Sequence, residues 1–124
     1  MWNRQNVYCT PRQENAKNYS GVKQAYEKAL TYNPDNPHVL NNLAWFYATC
    51  DDLSYRNSTR ALLLAKKAEK LIKAPHILDT LAESYFVNGM YEEAIAAELR
   101  ALELVKSNRS HYKKQLEKFK KAAK

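Results

Sequence analysis

The stretch Leu78–Leu102, LDTLAESYFVNGMYEEAIAAELRAL, decides the fold. In its first part Leu78, Leu81, Ala82 and Tyr85 recur at i, i+3, i+4 and i+7, the spacing of one apolar helix face. Asn88-Gly89 then interrupts the pattern, and glycine adopts the left-handed conformation that ends a helix without a Cβ to resist it. In the second part Tyr91, Ala94, Ile95, Ala97, Leu99, Ala101 and Leu102 form the side expected to be buried. Its alanines let two helix backbones approach closely, so the stretch predicts a helical hairpin.

These residues resemble a tetratricopeptide repeat, a helix–turn–helix unit with a period of 34 residues. Leu81-Ala82, Tyr85, Gly89, Tyr91, Ala94 and Ala101-Leu102 stand where that motif places them, while Glu98 replaces its usual aromatic and Lys106 its closing proline. A second copy lies upstream. Leu40, Leu43, Ala44 and Tyr47 pair with Leu78, Leu81, Ala82 and Tyr85, each 38 residues apart. The excess over the usual period falls in a lengthened turn, Cys50–Asn57, between the two helices of that repeat. Ala61, Ala65 and Ala68 take the small-residue positions of its second helix, beside Leu62, Leu64 and Leu71. The phrase NNLAWFYATC…YRNSTRALLLAKKAEKL looks like a variant common in bacterial multi-repeat proteins.

Outward from the two copies, Thr10-Pro11-Arg12-Gln13 reads as a helix start, with Thr as cap and Pro at the first helical position. The helix it opens carries Tyr19, Val22, Tyr26, Ala29 and Leu30, and Tyr26, Ala29-Leu30 and Pro34 match the second helix of a repeat whose first helix is missing. That gap reads as the end of a longer protein, and it leaves an apolar strip for Trp2, Val7 and Tyr8, or for a second copy of the chain, to cover. Downstream, Ser107-Asn108 is expected to cap a last helix whose apolar stripe is Tyr112, Leu116, Phe119 and Ala123. The expected fold is an all-α superhelix of helical hairpins with a C-terminal capping helix, about six helices in total. Residues 1–10 form an extension. One domain then spans 11–124, comprising a leading helix at 11–33, repeats at 37–73 and 75–106, and a basic capping helix at 109–123. The resemblance covers residues 19–106 and specifies a fold rather than a partner.

The net charge of +7 is carried wholly by the end of the chain. From Lys106 onward eight basic residues face Glu117 alone, and the remaining twelve basic and twelve acidic residues cancel. No apolar run reaches membrane-spanning length and Met1–Arg12 is no signal peptide, so a soluble, cytoplasmic chain is favoured, or the soluble end of a larger anchored protein. Cys9 and Cys50 show no metal-ligand spacing and read as reduced thiols.

Catalytic chemistry finds no foothold. His38 and His76 are equivalent positions after a proline, His111 stands alone, and no nucleophile–base pair, HExxH motif or phosphate loop accompanies them. Asp51-Asp52 lacks the alternating ligands and the glycine of a calcium loop. The expectation is a non-catalytic module with no cofactor and no metal. The repeat resemblance implies that the first helix of each hairpin lines a concave, partner-binding groove. It points His38, Asn41, Asn42, Trp45 and Thr49 inward from one helix and His76, Asp79, Thr80, Glu83 and Phe86 from the other, with Lys113, Lys114 and Glu117 joining from the last helix. Trp45 and Phe86 would form an aromatic floor edged by two acidic groups, complementary to a protein or peptide offering an apolar anchor beside Lys or Arg. Some family members clamp a terminal carboxylate with paired Lys and Asn. Asn42 matches one such Asn, but Asn41 replaces the Lys, so that ligand does not transfer. The alternative is a basic adaptor, with Lys113, Lys114, Lys118 and Lys121 contacting nucleic acid or anionic surfaces. Few aromatics and one Arg make nucleic acid the weaker reading.

Overall fold

The computed structural model describes residues 18–124. Six α-helices follow one another: α1 (Tyr19–Tyr32), α2 (Pro37–Thr49), α3 (Ser58–Leu71), α4 (Pro75–Val87), α5 (Tyr91–Leu104) and α6 (Arg109–Ala123). No strand occurs among the described residues. Helices α2 and α3 form one antiparallel hairpin and α4 and α5 the next; α3 packs on α4, α2 lies beside α4, α1 covers α2, and α6 closes the far end on α5. Each helix therefore meets mainly its neighbours, the one-dimensional stacking of a repeat array.

The buried set follows the sequence periodicity. Leu40, Leu43, Ala44 and Tyr47 of α2 and Leu78, Leu81 and Ala82 of α4 are all buried, as are Ala61, Ala65 and Ala68 of α3 and Ala94, Ala97 and Ala101 of α5. The alanine rows allow α3 and α5 to close on their partners. Glu98, at the position where an aromatic is usual, is also fully buried.

Local chemistry sets the helix ends. Asn36 accepts from the backbone N–H groups of His38 and Val39 (3.0 and 3.3 Å), with Pro37 at the first helical position of α2. The lengthened turn is built in the same way. Asp52 Oδ1 accepts from Ser54 N and Oγ, which holds a 3₁₀ turn at Leu53–Tyr55 and keeps the Asp52 carboxyl below its usual range. Asn57 then caps α3 through Arg60 N, while its own N–H donates to Tyr47 O and ties the turn back to α2. Gly89 sits at φ 77°, where a β-carbon would be strained, and Asn88 Nδ2 donates to Ser84 O and Ser58 O, fastening the α4 end to the α3 start.

Two expectations about the termini change. Helix α1 begins at Tyr19, because Asn18 stands outside helical geometry (φ −102°, ψ 26°). The Thr10-Pro11 start, Cys9 and the covering role of Trp2, Val7 and Tyr8 lie outside the described residues. At the other end Asn108 does not cap α6 with its side chain. It adopts the left-handed conformation (φ 56°), which asparagine tolerates, and redirects the chain. Arg109 instead donates to Leu102 O and Val105 O, satisfying the last carbonyls of α5.

Helix α1 has no buried residue of its own and is fastened by a polar triad. Tyr47 Oη donates to Glu27 Oε2 (2.5 Å), and Glu27 Oε1 pairs with Arg60 (2.8 Å), joining α1, α2 and α3. Burial, then the hydrogen bond to the Glu27 carboxylate, pushes the Tyr47 phenol up from 10 to about 12, against a smaller opposing pull from Arg60. A folded-state pKa above the unfolded value means that the folded chain holds this proton more tightly. The associated stability is complete below pH 10 and is lost as pH rises from 10 to about 12. Wild-type stability is therefore expected to fall more steeply over that window than that of Tyr47→Phe. Parallel slopes in denaturant titrations would show that the triad does not hold α1.

Candidate functional site

An open groove of about 590 Å³ lies between α2, α4 and α6. Trp45, Ala48 and Thr49 of α2 form one wall, Glu83, Phe86 and Val87 of α4 form the floor, and His111, Lys114, Gln115 and Lys118 of α6 form the other wall. Arg56 reaches in from the lengthened turn. Trp45 and Phe86 are half-buried, so each keeps part of its ring toward the groove. Thr49 Oγ1 donates to Trp45 O (2.8 Å), the back-bond expected of a threonine in the last turn of a helix.

Helix α6 changes the character of this surface. His111, Gln115 and Lys118 lie at i, i+4 and i+7, a single ridge, and they lie over Asp79 and Glu83 of α4, themselves i and i+4. His111 Nε2 stands 2.9 Å from Asp79 Oδ2. Gln115 Nε2 donates to both Asp79 Oδ1 (3.2 Å) and Glu83 Oε1 (3.0 Å). Lys118 Nζ donates to Glu83 Oε1 at 2.8 Å and lies 4.9 Å from the Phe86 ring centre and 5.3 Å from that of Phe119. Phe119 is fully buried against Phe86, ring centres 5.1 Å apart.

Several inward-pointing assignments are therefore corrected. Asp79 and Thr80 are 0% exposed and Glu83 only 5%; α6 covers the two carboxylates, and Thr80 is buried within the helix stack. Asn41 is also buried, at 1%. The acidic edge expected of the groove is consumed by the molecule's own His111, Gln115 and Lys118. His38 and His76 sit away from the groove at the starts of α2 and α4, where their rings stack parallel with centres 6.0 Å apart. Asn42 is half-buried and also does not line the groove. Trp45, Thr49, Glu83 and Phe86 are brought together there. Lys113, Lys114 and Lys121 are exposed, whereas Lys118 is turned to Glu83, so the expected basic patch is divided. The stripe on α6 also differs: Phe119 is its buried apolar residue and Gln115 the other buried one, while Ala123 is exposed.

Arg56, Ala48, Val87, His111 and Gln115 were not legible as groove residues. The three-residue row His111, Gln115, Lys118 is visible as a polar ridge, but nothing in it says which helix it will meet. Arg56 is placed by the 3₁₀ turn, with its Nε donating to Cys50 O (2.6 Å). Cys50 is a buried free thiol. Among the described residues no group of three or more His, Cys, Asp or Glu side chains is placed to hold a metal ion, and no helix is long and apolar enough to cross a membrane.

Residues 25–74 match the family model of the tetratricopeptide repeat. The chain contains a tetratricopeptide repeat. The matched span runs from within α1 through the α2–α3 hairpin, lengthened turn included, and the α4–α5 hairpin repeats the same architecture beyond it. No characterised protein matches the sequence closely enough to count as a relative. Repeats of this family generally mediate protein–protein interaction.

Proposed function

We propose that the chain is a non-catalytic protein–protein interaction module that takes a peptide or helix of its partner into the groove between α2, α4 and α6. One observation carries this reading: the groove is lined by two large, half-buried aromatic side chains, Trp45 of α2 and Phe86 of α4. Clusters of this kind supply most of the energy of peptide recognition. The groove volume is in the range that seats a few side chains. The family's typical role as a non-enzymatic scaffold agrees with it. The basic-adaptor reading loses Lys118 to its pair with Glu83.

The test is selection of displayed short peptides on the intact chain, followed by affinity measurement on variants. Trp45→Ala is expected to weaken the selected peptides by about tenfold or more, equivalent to about 1.4 kcal/mol. Leu63→Ser, on an exposed site of α3, is expected to leave them unchanged. Circular dichroism of both variants should remain helical. Peptides that bind Trp45→Ala as well as wild type would place the binding surface elsewhere.

A further inference from the structure

We infer that the partner segment is acidic: a bulky apolar side chain flanked by Asp or Glu, seated between Trp45 and Phe86 with its carboxylates toward Arg56 and Lys114. This rests on the groove reading above and reverses the ligand polarity that the isolated sequence implies. The groove lining contains one carboxylate, Glu83, and four groups that carry or accept a proton, Arg56, His111, Lys114 and Lys118. Glu83 is already engaged by Gln115 and Lys118, and Asp79 behind it by His111 and Gln115. A basic ligand would have to displace those contacts to reach a carboxylate that is almost wholly buried.

An acidic ligand meets the opposite situation. Among the described residues Lys114 makes no ion pair, and Arg56 uses only its Nε, on Cys50 O, so its terminal guanidinium nitrogens remain able to grip a carboxylate. The two groups come from different elements, the lengthened turn after α2 and the exposed side of α6, and both line the groove that holds the aromatic pair. A segment that buries its apolar side chain there places flanking carboxylates within reach of both. The excess of basic residues on α6 and its flanks would speed encounter with such a segment and make its association rate sensitive to salt. Arg56 is delivered by the extra residues of the first repeat, which gives that insertion a use that the fold alone does not require.

The experiment compares peptide selections on the wild-type chain and on Arg56→Glu/Lys114→Glu. Wild type is expected to enrich peptides with Asp or Glu around an apolar residue, and the double variant to bind those peptides about tenfold or more weakly. The variant's own selection is expected to shift toward Lys and Arg. Both positions are exposed, so the variant should keep the wild-type helical spectrum. Basic or neutral peptides enriched on wild type, with binding still lost in Trp45→Ala, would overturn the acidic inference while leaving the groove reading standing. Acidic peptides insensitive to Trp45→Ala, or displaced equally well by a short single-stranded DNA, would indicate a general polyanion surface and overturn both. Absence of any enrichment would also overturn both.

Discussion

Phe119→Ala is expected to destabilise the folded chain by about 3–5 kcal/mol, the range for removing a buried aromatic ring and leaving its cavity. The reason lies in how little other apolar burial α6 has. Phe119 is its one fully buried apolar side chain, and the ring packs on Phe86 at 5.1 Å between centres. Most of the remaining residues of α6 face solvent. In a stacked array each unit is stabilised mainly by its neighbour, so the loss should fall first on the terminal helix. Amide exchange is therefore expected to accelerate across Arg109–Ala123 before it does in α2 or α3. Release of α6 would also uncover Asp79 and Glu83 and remove one wall of the groove. An unfolding free energy lowered by less than about 1 kcal/mol would show that the helix is fixed by something other than this ring.

Gln115→Glu is expected to cost at least about 3 kcal/mol. Its amide is the shared donor between two buried carboxylates, and this fixes its orientation, since two acceptors require the NH₂ end. Hydrogen bonds to charged groups contribute about 1.5–3 kcal/mol each, and the substitution removes two. It also sets a third carboxylate against Asp79 and Glu83 where water is largely excluded. Gln115→Met separates the two effects, because it loses the donors without adding charge and should fall between wild type and Gln115→Glu. Equal stability of Gln115→Glu and wild type in urea denaturation would mean that α6 does not rest on α4 through this contact.

Both experiments act on contacts that no sequence pattern displays. Gln115 and Glu83 are 32 residues apart, and His111 and Asp79 are also 32 apart. Each residue has an ordinary exposed-residue chemistry, and Asp79, Glu83 and Gln115 become buried, with His111 half-buried, where α6 crosses α4. Helix α6 offers two ridges, Tyr112–Leu116–Phe119 and His111–Gln115–Lys118. The apolar ridge was legible, and Tyr112 and Phe119 of it do pack on the core, but the docking also engages the whole of the polar ridge. The choice is made by the short α5–α6 connection, in which Asn108 takes the left-handed conformation and Arg109 bonds back to Leu102 and Val105.

By itself, the sequence determined the all-α hairpin stack. The leucine and alanine positions that repeat between Leu40–Ala44 and Leu78–Ala82 are buried, Tyr47 with them and Tyr85 half-buried, and the glycine and asparagine punctuation lies at the helix ends. Burial in a helix hairpin is a periodic property of neighbouring residues, so it can be read along the chain. The tertiary structure alone decided the polarity of the groove. Asp79 and Glu83 carry the same charges in either reading, but a charge shapes a binding surface only if it is not already paired. Pairing is a distance in space, and the docking of α6 spends those two carboxylates inside the molecule while leaving Lys114 and Arg56 at the open face.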